Sequence, residues 1–327
     1  MRKKLSVFKL VLLISILILA LVVIYSGLQV LESTFLRPTV ADSPTESKTI
    51  VRDGIAYFPR QDITVVLVSG IDQTGIMESS GTYNNPGAAD MVSLLIFDRT
   101  REKIDLITIN RDTMMDVPVL GLKGRPAGTI YGQLALAHTY GSGMSDSSIN
   151  LRNAVSNFMY GLQIDYYVTM NMDAISVLND AVGGVTVNVS DDFSEVDPSI
   201  PMGEVTLTGD QAVSFVRSRR GVGEGLNLNR MERHKEYMTG FLTALNETAE
   251  NSRSSLMTAF DDASPYMVTD CTTKTLGSML DRFGDYELGD IISVAGENVM
   301  GKQYMEYHVD EEALDALIIS RLYAPKK

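Results

Sequence analysis

GAADMVSLLIFDRTREKIDLITINRDT, Gly87 to Thr113, is the stretch on which the folding of this chain turns. Met91 to Phe97 is a continuous apolar run, Asp98 to Lys103 is charged, and Ile104 to Ile109 is apolar again. The pattern predicts two buried strands joined by a short polar turn. Paired antiparallel, they bring the start of the first and the end of the second to one sheet edge. That edge carries Asp90, Arg111 and Asp112. Charged residues often do no more than end a strand, but two acids and an arginine at the rim of a buried sheet also suit a metal-assisted phosphate site.

Upstream, Asp62 to Ser69 (DITVVLVS) is rich in β-branched residues and reads as a further buried strand ending at Gly70-Ile71-Asp72. The loop from Asp72 to Asp90 is rich in Gly, Ser, Asn and Thr and has no helical period. It has no crossover helix, so the next strand should return antiparallel, placing Asp72 on the edge that carries Asp90 and Arg111.

Downstream, Pro118 to Gly128 reads as irregular surface. Helices are expected over Asp146 to Tyr160 and Asp173 to Val182, and strands over Ile164 to Met170 and Val185 to Val189. This alternation means an α/β layered core. Thr208 and Gln211 form a capping box for a short helix leading into Arg217-Ser218-Arg219. In extended backbone those two arginines point to one side. A second helix start at Asn229, with Glu232 three residues on, puts Arg230 and Arg233 near a helix N-terminus, where an anion is favoured and a cation is not. Four clustered arginines therefore suit a bound pyrophosphate. The tail from Ala249 reads as helices over Thr272 to Arg282, Leu288 to Ala295 and Glu311 to Leu322, with an edge strand from Tyr304 to Val309.

Composition sets outer bounds. With 327 residues, 45% of them hydrophobic, the chain can bury a sizeable core. A net charge of −13 argues against general nucleic-acid binding. Cys271 is the sole cysteine, which excludes an intrachain disulfide. Arg2, Lys3, Lys4 and Lys9 precede an uncharged run, Leu10 to Val30, long enough to span roughly 30 Å of hydrocarbon. The expectation is a single-pass anchor in the cell membrane, with residues 1–9 cytoplasmic, a broken polar spacer over 31–60, and an extracytoplasmic domain from 61 to 327. That domain divides into a core, 62–245, and a C-terminal helical extension, 249–327. His138, His234 and His308 lack ligand spacing and read as structural. The 17 methionines read as core filling or pocket lining. Ser69, Thr74 and Thr113 make no nucleophile motif.

The order strand-Gly-Ile-Asp72, Gly-x-x-Asp90, Asn-Arg111-Asp112-Thr113, Gly183-Gly184-Val185, Arg217-x-Arg219 and Arg230 with Arg233 resembles the LytR-CpsA-Psr family over about Asp62 to Leu245. The resemblance implies an α/β/α three-layer sandwich with a mixed central sheet. It also implies transfer of an anionic glycopolymer, teichoic acid- or capsule-like, from a polyprenyl-pyrophosphate carrier to peptidoglycan. Asp72 and Asp90 would hold Mg²⁺ (or Mn²⁺), and Arg111 would be the central catalytic arginine. Arg217, Arg219, Arg230 and Arg233 would hold the pyrophosphate. Asp112 would be a general base or would orient Arg111. Ala88-Ala89, Gln133, Ala135, Asn227 and His234 stand where the family more often has arginine and serine, lysine, asparagine, an acid and glutamine. These departures bear on which polymer or acceptor is used. Two other classes share the same residues: a non-catalytic polyprenyl-phosphate or glycan-binding envelope protein, and a lipid-pyrophosphate hydrolase.

Overall fold

The computed structural model describes residues 49–121, 124–218, 221–222 and 227–325. Strands β1 (Ile50–Arg52) and β2 (Ile55–Pro59) form a hairpin. Next come β3 (Ile63–Ile71), β4 (Ala89–Asp98) and β5 (Lys103–Ile109), then a second hairpin, β6 (Met114–Leu120) with β7 (Pro126–Gln133). A 3₁₀ turn over Leu134–His138 leads to helix α1 (Ser145–Phe158), β8 (Tyr166–Met170), α2 (Met172–Ala181), β9 (Val185–Val189) and β10 (Gly203–Leu207). Helices α3 (Gly209–Arg217), α4 (Asn227–Asn251) and α5 (Arg253–Ala263) follow, then β11 (Met267–Thr269) and α6 (Thr273–Phe283). The chain continues through β12 (Glu287–Ser293), β13 (Gly296–Met300), β14 (Met305–Val309), α7 (Glu311–Arg321) and β15 (Tyr323–Pro325).

The result is a mixed α/β fold around a six-stranded sheet of order β11-β8-β3-β4-β5-β12. β3 pairs antiparallel with β4 and β4 antiparallel with β5, whereas β8 and β12 run parallel to their neighbours β3 and β5. Because both faces are buried, the central strands read as unbroken apolar runs rather than alternating ones. Val65, Leu67, Leu94, Ile96 and Ile107 face one side, packed with Leu151, Ala154 and Val155 of α1 and Leu314 and Ile318 of α7. Val66, Val68, Leu95, Phe97 and Leu106 face the other, toward Met238, Leu242 and Leu245 of α4 and Phe283 of α6.

A smaller core joins β9, β10 and α3, where Phe193 stacks on Phe215 at 5.6 Å between ring centroids. The tight passage from α2 to β9 uses Gly183 and Gly184, at φ +81° and +97°, a region that costs other residues a Cβ clash. At Gly184 a Cβ would also lie 2.8 Å from the Thr206 methyl. The capping box of Thr208 and Gln211 is present at the start of α3.

Several expectations need correction. Residues 50–59, assigned to the spacer, are folded: β2 pairs with β15. The segment after Arg111, read as irregular, is the β6–β7 hairpin. Leu288 to Ala295, read as a helix, is mostly β12. Leu288, Ile291 and Ile292 have helical spacing, but pairing with β5 outweighs local pattern. That pairing is close: a Cβ on Gly289 would lie 2.1 Å from Asp105 Oδ1, and the Asp290 N–H donates to the same oxygen at 2.9 Å. Tyr304 to Val309, expected as an edge strand, does contain one, β14, which pairs with β13. α4 begins at Asn227, ahead of the predicted Asn229. Arg217 is the last residue of α3, not extended backbone. Among the described residues no helix is long and apolar enough to cross a membrane; the expected anchor, Leu10 to Val30, lies outside them.

Candidate active site

One end of the sheet gathers the charged residues singled out in the sequence. Asp72 follows β3, Asp90 lies at the start of β4, and Arg111 follows β5. The antiparallel β3–β4–β5 meander places them there. The Arg111 guanidinium bridges two carboxylates, pairing with Asp90 through Nη1 and donating from Nε to Asp112 Oδ1 at 3.1 Å. Arg230 reaches the same centre from the first turns of α4, its Nη1 3.1 Å from Asp90 Oδ2. Asp90 therefore sits between two guanidiniums from elements far apart in sequence. Arg217 Nε pairs with Asp72 Oδ1 at 2.8 Å on the open side of the site, where both side chains are about half exposed. An exposed pair of this kind contributes no more than about 1 kcal/mol. Its value lies in position.

Asp112 is buried and fixed from three directions. Its N–H donates to Asn110 Oδ1 at 2.9 Å, and its Oδ1 accepts from Arg111 and from Gln133 Nε2 at 3.0 Å. Gln133 Nε2 also donates to the carbonyl of Met305 at 2.8 Å, tying β7 and β14 to the same carboxylate. The Tyr307 N–H donates to the Asp112 carbonyl, so β14 lies alongside the chain after Arg111.

The loop between Asp72 and Asp90 is held from inside by Asn85, whose side-chain amide donates to the carbonyls of His138 (2.8 Å) and Gly141 (3.1 Å). Its Oδ1 accepts from the Gly87 N–H at 2.8 Å. His138 Nδ1–H donates to the Gly87 carbonyl at 2.6 Å, and burial lowers the imidazole pKa, keeping the ring neutral. His138 thus has the structural role its lack of ligand spacing suggested, whereas Asn85 was not singled out, because a buried amide that satisfies backbone groups leaves no spacing signal.

Arg233 does not join this cluster. It is buried beside Asp191, Nη1 to Oδ2 at 2.7 Å, donates to the carbonyls of Phe215 and Ser218, and lies over the Phe193 ring. It anchors α4 to the β9–α3 core. Arg219 lies outside the described residues.

His234, read from sequence as structural and as a departure from the family pattern, lies on the pocket wall. It stands one turn after Arg230 on the same face of α4, and its Nε2–H donates to the Val216 carbonyl at 2.9 Å. It lines the pocket that also holds Asp72, Asp90, Arg217 and Arg230. Continuing along this face, Tyr237, Met238, Phe241, Leu242 and Leu245 line an apolar cavity of about 240 Å³ between the sheet, α4, α5 and α6. Met170, Ile175, Tyr237 and Met238 belong to the walls of both spaces. A rim of arginines and carboxylates thus opens beside an apolar chamber. Mg²⁺ is an ion held by one or two carboxylates with waters and substrate phosphates. Asp72 and Asp90 line one pocket and are the carboxylates that would hold it, with Asp90 exchanging a guanidinium contact to do so. Among the described residues no group of three or more His, Cys, Asp or Glu suits a metal without such help.

A fold of this kind with its arginine–carboxylate rim defines a class that comparison identifies: the chain matches the LytR_cpsA_psr family over residues 37–319 and belongs to it. It is 27% identical over 233 residues to a polyisoprenyl-teichoic acid–peptidoglycan teichoic acid transferase of Oceanobacillus iheyensis, matching 70% of this chain and 64% of that one. It is 25% identical over 274 residues to the Bacillus subtilis protein of the same name, matching 82% and 79%. The first match spans less than two thirds of the relative's length. The fold is shared with TagT, solved bound to LIIa-WTA, at a TM-score of 0.63 and 19% identity over 86% of this chain and 98% of that one.

Proposed function

We propose that this protein transfers an anionic glycopolymer from a polyprenyl-pyrophosphate carrier to peptidoglycan. The observation that carries the reading is the shared wall of Met170, Ile175, Tyr237 and Met238 between the charged rim and the apolar chamber. Such a junction suits one amphiphile, with its diphosphate among the arginines and its hydrocarbon inside. The names of the relatives point the same way. The uncharged run Leu10–Val30 would hold the chain at the membrane where such a carrier resides.

Phosphoryl transfer depends on positioning and charge neutralisation more than on covalent help. Arg111 and Arg230 would grip the diphosphate from two sides, and Arg217 would close its open flank. A sugar hydroxyl of the acceptor forms the new oxygen–phosphorus bond as the bond to polyprenyl phosphate breaks. Asp112 holds the Arg111 plane in place and is the nearest candidate to take the hydroxyl proton. The paired groups at the rim, Asp72, Asp90 and Asp112 with Arg111, Arg217 and Arg230, cancel in formal charge. A diphosphate would leave this site net negative. Mg²⁺ held by Asp72 and Asp90 would supply the missing charge and polarise the phosphoryl oxygens.

The test is incubation of the full chain with a synthetic lipid-linked glycopolymer, peptidoglycan fragments and Mg²⁺. Polymer covalently joined to the fragments is the expected product. Release of polymer phosphate without attachment would make the protein a hydrolase, and carrier binding without turnover would make it a binding protein.

A further inference from the structure

In the β6–β7 hairpin, β6 has two unlike faces, whereas β7 is exposed along most of its length, Ile130 included. Met115 and Val117 turn inward and are buried against the core that includes α1. On the outer face the register pairs Met114 with Gln133, Asp116 with Tyr131 and Pro118 with Thr129. Asp116, Thr129 and Tyr131 are exposed, Tyr131 to 64%. Cross-strand partners share a face and successive same-face residues are two apart, so Gln133, Tyr131 and Thr129 form one row. At its inner end Gln133 donates both amide protons, to Asp112 and to the Met305 carbonyl. The row therefore starts at the carboxylate beside Arg111 and runs outward over solvent-facing backbone.

We infer that this strip is the seat of the acceptor glycan. It rests on the transferase reading above. The chemistry selects a sugar chain over a lipid. An exposed tyrosine ring offers a flat apolar face for the axial C–H groups of a pyranose, while Asp116, Thr129 and the Gln133 carbonyl oxygen accept or donate to ring hydroxyls and acetamido groups. A lipid would need a continuous apolar surface, which alternation with Asp116 and Thr129 denies. Continuity with the site fixes direction: a glycan on the strip brings one hydroxyl to Asp112 and Arg111. The opposite approach, across α4, is occupied by the apolar chamber. Donor and acceptor thus enter from different sides of the Asp90–Arg111 pair.

The chain has no tryptophan, so Tyr131→Trp keeps a stacking ring and adds a unique fluorophore. The probe is a tetrasaccharide of alternating N-acetylglucosamine and N-acetylmuramic acid, titrated into the full chain in detergent. A saturable shift in Tyr131→Trp emission is expected. Tyr131→Ala is expected to raise the KM for the tetrasaccharide about tenfold with a smaller change in kcat, and Tyr131→Phe to restore it. Affinity for the lipid-linked donor reports that the variant has folded. Equal tetrasaccharide affinity in the wild-type chain and Tyr131→Ala would overturn the inference, as would an unresponsive Tyr131→Trp. Self-association that Tyr131→Ala abolishes, with no response to sugar, would overturn it in favour of a second copy of this chain. Failure of the transferase reading is distinct: the sugar would bind the strip, yet no polymer would be joined to it.

Discussion

Arg111 is the residue on which the site converges, since it contacts both Asp90 and Asp112. A lysine presents one compact ammonium and cannot span two carboxylates in a fixed plane. Arg111→Lys should therefore fail nearly as badly as Arg111→Ala, each lowering the transfer rate by about a hundredfold or more. Arg217→Ala should instead act mainly on donor KM, because its exposed guanidinium is screened by water. Comparing kcat and KM for the three variants in the transfer assay checks both statements. This residue was legible in sequence because two strand patterns fixed its edge. The separation of Arg230 from Arg233 was not. Both lie near the start of one helix, and only the position of Asp191 and Phe193 decides that the second turns into a packing role.

Among elements, α4 links chemistry to packing, and it passes close to β9 at Gly240. A Cβ there would lie 2.3 Å from the Thr186 carbonyl of β9. Gly240→Ala should destabilise the fold by about 1–3 kcal/mol through overpacking, despite the better helix propensity of alanine. Chemical denaturation would show a lowered midpoint; an unchanged or raised midpoint would mean α4 can shift freely. The far end of the sheet supplies a second test. Asp98 is fully buried between Arg60 and Arg101, and Asp105 lies beside Arg101 and Arg321. Burial alone would raise the Asp98 pKa, but hydrogen bonds from both arginines hold it well below the usual carboxylate range. Arg60 likewise draws Asp62 down to about 2. A carboxylate depressed in the folded state stabilises above its unfolded pKa, near 4, and loses that contribution as pH falls through the folded value. Stability should thus decline progressively below about pH 4. In Asp98→Asn it should be lower by about 3 kcal/mol at neutral pH, with a flatter acid profile, as followed by circular dichroism.

For the whole molecule, the meander, α1, α2 and the short α3 were readable because period and caps agree with the tertiary result. The hairpin of β6 and β7 was obscured by Pro118, Gly121, Gly124, Pro126 and Gly128, turn residues that here punctuate paired strands. β12 was misread because a parallel edge strand is specified by its partner, not by its own spacing. The apolar chamber was invisible for a related reason: its wall comes from β3, β4, β8, α2, α4, α5 and α6 together. Cys271 on that wall provides a direct reporter. Burial pushes its thiol up to about 11, so it stays protonated and slow toward maleimide at neutral pH. Adding polyprenyl phosphate should slow labelling further, as read by mass spectrometry of the intact chain. Unchanged labelling with bound lipid would place the lipid elsewhere.

The pairing of β2 with β15 has a consequence for how the protein comes into being. The Arg60 side chain donates to the carbonyl of Arg321, 261 positions later in the chain, and β15 completes the sheet that β1 and β2 begin. During synthesis β2 emerges early and must wait with an open hydrogen-bonding edge until β15 arrives. Vectorial folding can finish the meander and α1 beforehand, but not this seam. A chain halted before Tyr323 would carry an unsatisfied strand edge and a half-built charge cluster at Arg60, the kind of defect that quality-control proteases find.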